Sequence, residues 1–137
     1  MRRSEQRRAA VFAVYEHDVT GRPLDDVFKP ADGQFTRALA HATSDNAEDL
    51  DARIERHTKG WTLERIAPLE RAILRTALLE MVHPEIVEGE RPIPPEGAID
   101  EAVEIAKAFC GPDAPGFVNG ILGAALREVR DNGAHHG

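Results

Sequence analysis

Four of the first eight residues are arginine (Arg2, Arg3, Arg7 and Arg8), in a chain of 137 residues with a formal net charge of −7. Glu5 is the one acid among those eight, so a basic end is set on an acidic body. Guanidinium groups meet phosphate oxygens with a permanent charge and paired N–H donors. The chemistry on offer is therefore neutralisation of a polyanion. Their position is unfavourable by itself. Ala9, Ala10, Val11, Phe12, Ala13, Val14 and Tyr15 follow directly and predict a helix from about Ser4. Cations at a helix N-terminus oppose the macrodipole, at about a few tenths of a kcal/mol each. A phosphate-rich partner would offset that cost. A solvated, frayed terminus that aids solubility accounts for the same residues without a ligand, and the arginines alone leave both readings open.

Phe117 is the second residue with a chemical reading. It follows Cys110-Gly111-Pro112-Asp113-Ala114-Pro115-Gly116, and an aromatic at such a helix start serves either as a core anchor or as a base-stacking platform. Other chemistry has little support. The six histidines form no His-x₃-His pair, and the single cysteine has no Cys-x₂-Cys partner, so no metal site is assigned. Cys110 lacks the histidine context of a nucleophile. Glu101/Glu104 and Asp25/Asp26 read as solvated-face charges. Gly120-Ile-Leu-Gly123 matches the GXXG of KH domains in letters only, because that loop needs an α/β module. Gly116 and Gly120 read as a close helix–helix contact through glycine. No phosphate-binding glycine loop and no cofactor are indicated.

The elements that must position these residues are helical. Aromatics make up 5% of the chain, against 42% hydrophobic and 30% charged, and no alternating β-branched run occurs. The expected class is all-α, with six to seven helices in a single domain over residues 1–131 and a disordered tail over 132–137. No apolar run approaches the ~18 residues of a membrane span. A lone cysteine fits a reducing, cytoplasmic setting. Arg3, Arg7, Val11 and Val14 share one stripe of the first helix, which should overhang the core and hold the arginines clear of it. A short helix is expected at Leu24–Phe28. Ser44-Asp45-Asn46 either interrupts or kinks the next stretch; one long helix from Gln34 to His57 is preferred, with Leu50, Ile54, His57 and Trp61 continuing its apolar spacing and His57 as a packed histidine. Pro68 opens the most apolar helix, which ends at His83-Pro84. A Pro/Gly-rich loop spans Glu88–Gly97. Ala98 to Phe109 and Phe117 to Val129 complete the set.

Read together, several segments resemble the NusB family of bacterial transcription antitermination factors. They are the arginine-led first helix with Ala9–Tyr15; Leu69–Met81, reading Leu-Glu-Arg-Ala-Ile-Leu-Arg-Thr-Ala-Leu-Leu-Glu-Met; Ala98–Lys107; and Phe117-Val118-Asn119-Gly120-Ile121-Leu122. The resemblance implies two three-helix subdomains and a role without catalysis. Such proteins pair with NusE, a small-subunit ribosomal protein, and the pair binds single-stranded boxA RNA. Other Nus factors and RNA polymerase then join to suppress termination during ribosomal RNA synthesis. Carried over by position, Arg2, Arg3, Arg7 and Arg8 would contact phosphates and Phe117 would lie beside the RNA. Asp113 would moderate RNA affinity, and Glu80 would face NusE.

The chain departs from the family pattern where Ser4-Glu5-Gln6 interrupts the arginines, where Asp100 stands for asparagine, Leu79 for tyrosine and Gly123 for aspartate, and in a longer Glu88–Gly97 loop. A protein-only adaptor or a homodimer with a masked RNA site is the alternative. An RNA cytosine methyltransferase carrying such a domain would need a Gly-rich cofactor loop, which this sequence lacks.

Overall fold

Residues 72–81 are buried without a break, so the helix that carries them, α5 (Pro68–Val82), needs neighbours all round rather than along one stripe. The computed structural model describes residues 2–86 and 92–136. Among these, α1 (Arg3–Thr20), α2 (Leu24–Val27), α3 (Gln34–Asp45), α4 (Ala47–Glu55), α6 (Pro95–Phe109) and α7 (Ala114–His136) surround α5, with 3₁₀ turns at Leu63–Arg65 and Pro84–Ile86 and no strand. The all-α expectation therefore holds. α1 packs on α3 and α5, while α6 and α7 pack on each other and on α5. The two groups share α5 as a common wall and one continuous apolar core. No described helix is long and apolar enough to cross a membrane.

The polar residues inside this wall all have partners, although the buried Nε of Arg71 has none of its own. The Thr76 hydroxyl donates to the Ala72 carbonyl at 2.8 Å. Arg75 donates through Nε and Nη2 to the two carboxylate oxygens of Asp51, at 2.6 and 2.9 Å, while Arg71 donates to Asp18 at 3.0 Å. These pairs tie α4 and the C-terminal end of α1 to α5. At the other end Arg7 reaches Glu80, so α1 runs antiparallel to α5.

Several boundaries differ from the sequence reading. The long helix expected from Gln34 to His57 breaks at Asn46, whose side chain and backbone N–H both donate to the Ala42 carbonyl, at 2.8 and 3.2 Å. That cap ends α3, and α4 stops at Glu55, so His57 and Trp61 leave the helical stripe. Pro95 occupies the first turn of α6, where its missing N–H costs nothing, and the helix takes up the end of the expected loop. Residues 88–91 of that loop lie outside the described residues. α7 starts at Ala114, before Phe117, and runs on to His136 through the segment read as a disordered tail.

The glycine reading also changes. A Cβ at Gly116 or Gly120 would meet nothing within 4 Å, so these residues face open space and not a neighbouring helix. Where a glycine is required is Gly21, whose φ of 74° ends α1 and lets its N–H donate to the His17 carbonyl at 3.0 Å.

Candidate nucleic-acid interface

The arginine end of α1 divides by burial. Arg2 is exposed and lies 3.5 Å from Glu5. Arg8 is exposed, with its guanidinium 5.1 Å from the centre of the Phe109 ring. Arg3 is half-buried, 4.1 Å over the Phe35 ring and hydrogen-bonded to Gln6. Arg7 is different. It points inward, 5.4 Å from the same Phe35 ring, and its Nε donates to both oxygens of Glu80 at 2.9 and 3.1 Å.

The expected overhang of α1 is therefore partial. One turn of helix separates Arg3 from Arg7, and the second already sits over α5. Glu80 is correspondingly not on an open face: its side chain is 10% exposed and Arg7's is 11%. Burial pushes the Glu80 carboxyl above its usual range, the Arg7 hydrogen bond and charge pull it down, and Glu101 pushes it up again. The pair lies under a shallow groove between α1 and α6, floored by Ile73, Thr76 and Ala77 of α5. Half-buried Glu101, on the α6 wall, brings a second carboxylate to that groove.

Phe117 settles part-way between its two readings. It packs against the core from the first turns of α7, and its ring meets Trp61 at a centroid distance of 6.0 Å and an interplanar angle of 34°. Its backbone N–H donates to the Asp113 carbonyl at 3.2 Å. Asp113 itself is exposed just before α7, a favourable place for an anion beside a helix N-terminus. The ring contacts of Phe117 lead to Trp61 and not to the arginines, so the expected RNA residues form two stations. Phe109 belongs to the arginine station: it is 46% exposed, edge-on to Phe12 at 5.0 Å and beside the Arg8 guanidinium.

Sequence reasoning passed over Trp61, Phe109 and Glu101. Phe109 completes an apolar 3–4 spacing and so reads as core; only the end of α6 beneath it leaves the ring half in solvent. Trp61 has the one available signal, its place directly after Gly60. Cys110 is not an activated nucleophile: burial raises its thiol pKa and the Glu70 charge raises it further.

The NusB family pattern matches residues 4–127. The transcription antitermination protein NusB of Rubrobacter xylanophilus is 35% identical, over 94% of this chain and 93% of its own length. The solved structure of T. maritima NusB aligns at a TM-score of 0.79 and 28% identity, covering 93% of this chain and 92% of that one. A chain in the crystal structure of the antitermination factors NusB and NusE in complex with double-stranded RNA has the same fold, with a TM-score of 0.73 at 21% identity over 93% of this chain and 99% of that one.

Proposed function

The chain belongs to the NusB family of transcription antitermination factors, and we propose that it acts as an RNA-binding adaptor that pairs with NusE and holds single-stranded boxA RNA during ribosomal RNA transcription. It is not an enzyme. The observation that carries the RNA reading is the arginine end of α1. There the exposed Arg2 and Arg8, with Arg3 beside them, present guanidinium groups on a body whose formal charge is −7. A body of that sign repels nucleic acid except at such an end, and it attracts a basic protein.

The parts divide accordingly. Arg2, Arg3 and Arg8 meet phosphates, and Phe117 takes the RNA at its second station. Asp113, the exposed anion beside it, lowers RNA affinity by repulsion. Arg7 acts from beneath, because its ion pair with Glu80 fixes the turn that carries Arg3 and Arg8. With Glu80 paired to Arg7 beneath it, Glu101 leaves the α1–α6 groove with the net negative charge that suits basic NusE. Other Nus factors and RNA polymerase would then join the assembled adaptor.

The test is binding of a labelled boxA RNA across a salt series, with and without NusE. Each phosphate neutralised contributes about −0.7 to the slope of log affinity against log salt for a single strand. Salt-dependent binding that tightens with NusE is the expected result. No binding in either condition, from folded protein, overturns it in favour of a protein-only adaptor or a homodimer.

A further inference from the structure

Trp61 is half exposed, although its indole is apolar apart from one N–H donor. The backbone holds it there. Lys59 and Gly60 both take left-handed conformations, with φ of 53° and 91°, and a non-glycine residue in that region is strained. The buried Thr58 locks the turn. Its hydroxyl shares its one proton between the Glu55 and Trp61 carbonyls, at 3.0 and 2.7 Å, and its carbonyl accepts the Trp61 N–H at 3.2 Å. A rigid turn thus presents the largest aromatic of the chain outward. One neighbour is the Phe117 ring, 6.0 Å away. The other is the guanidinium of the exposed Arg65, 5.7 Å from the indole.

We propose that Trp61 is a stacking platform for an unpaired nucleobase of single-stranded RNA, extending the Phe117 station with Arg65 beside it. This rests on the RNA-binding reading above. A base offers a flat apolar face to an indole and a phosphate to a guanidinium, and alternation of the two along a strand matches an aromatic flanked by cations. Lys59 and Arg65 against Glu64 leave residues 59–65 with a single net positive charge. Stacking, not charge, is therefore the main source of affinity here, in contrast to the arginine end of α1.

Trp61 is the only tryptophan, so its fluorescence reports this site alone. The experiment titrates the protein, with NusE present, with boxA RNA, following tryptophan emission of this chain and, separately, the anisotropy of labelled RNA. NusE without tryptophan keeps the emission specific. Emission is expected to be quenched in step with the anisotropy. Trp61→Ala is expected to weaken binding by about five- to a hundredfold with an unchanged salt slope and unchanged helical circular dichroism, and Trp61→Phe to recover most of the affinity. RNA that binds with Trp61 emission and Trp61→Ala affinity both unmoved overturns the platform and leaves the RNA reading intact. An emission change complete on adding NusE, with none on adding RNA, also overturns it, by making Trp61 a protein contact. Absence of RNA binding by anisotropy removes both readings together.

Discussion

The Nε of Arg7 sits 2.9 and 3.1 Å from the two carboxylate oxygens of Glu80, joining α1 to α5 across 73 residues of chain at a place where both side chains are about nine-tenths buried. Two charges removed from water at this depth are tolerable only as a pair. Removing one partner strands the other. Arg7→Ala is expected to cost about 3–5 kcal/mol and Glu80→Ala less, because the Glu80 carboxylate already carries a burial penalty, both read as a fall in the urea midpoint. The double change Arg7→Met, Glu80→Leu should cost far less, because no charge remains buried. Additive losses in the double variant would show that the pair is not coupled.

The acid dependence of stability contains two contributions of opposite sign. Glu80 is raised above the ordinary 4.5, chiefly by burial. The native state thus takes up its proton before the unfolded state does, and the penalty for the buried charge is relieved as pH falls through the raised value. Relative to Glu80→Gln, the parent chain should gain stability as pH drops from neutral towards 4.5. Glu128 is lowered from 4.5, first by the Arg56 hydrogen bond and further by His57, which lie 2.6 Å from its two oxygens. Its contribution is present above 4.5 and is lost as pH falls through the lowered value. Glu128→Gln should therefore flatten the stability curve below 4.5 only. Urea denaturation across this range separates the two. A Glu128→Gln curve parallel to the parent below 4.5 would contradict the assignment.

Gly120 and Gly21 should respond oppositely to the same methyl group. Gly120 sits inside α7 with open space where a Cβ would go, so Gly120→Ala removes only the flexibility of the unfolded chain and should stabilise by about 0.5–1 kcal/mol. Gly21 also has open space around it, but its φ is 74°, and Gly21→Ala should cost about 1 kcal/mol in backbone strain. Thermal denaturation of the two variants is sufficient. A destabilised Gly120→Ala would mean that the face of α7 is packed after all.

The helices were legible because their signals are local: Pro68 and Pro95 at first turns, Gly21 at an end, and apolar residues at 3–4 spacing along α5 and α6. What the sequence concealed depends on partners far along the chain. Arg3 and Arg7 occupy the same stripe and look equivalent, yet only Arg7 has Glu80 beneath it. Ser44-Asp45-Asn46 reads equally as a kink or a break, and only the bond from the Asn46 side chain to the Ala42 carbonyl decides for the break. Trp61 carries the right spacing for the α4 stripe, and five residues of irregular backbone turn it into solvent. Periodicity predicts which face is apolar; it does not say where the neighbouring helix stops covering that face, which is why Phe109 looked like core.

The division among the arginines gives the most direct prediction about binding. Exposed cations can exchange a salt counterion for a phosphate, whereas a buried, ion-paired guanidinium has no counterion to release. Arg8→Ala should therefore reduce the magnitude of the salt slope for boxA RNA by about 0.7, with stability changed by no more than about 0.5 kcal/mol. Arg2→Ala should act in the same direction, tempered by its proximity to Glu5. Arg7→Ala should lower stability first. Where the variant remains folded, its salt slope should match the parent, and any affinity lost should reflect a displaced α1 terminus. Isothermal RNA titrations at several salt concentrations, run beside urea denaturation of the same samples, distinguish the two classes. A reduced slope for folded Arg7→Ala would place its guanidinium on phosphate, which would require the Arg7–Glu80 pair to open when RNA binds. In that case Glu80→Gln, by loosening the pair, should tighten RNA binding. If the pair stays closed, Glu80→Gln leaves the slope where it was, and Arg7 belongs to the scaffold that aims its neighbours.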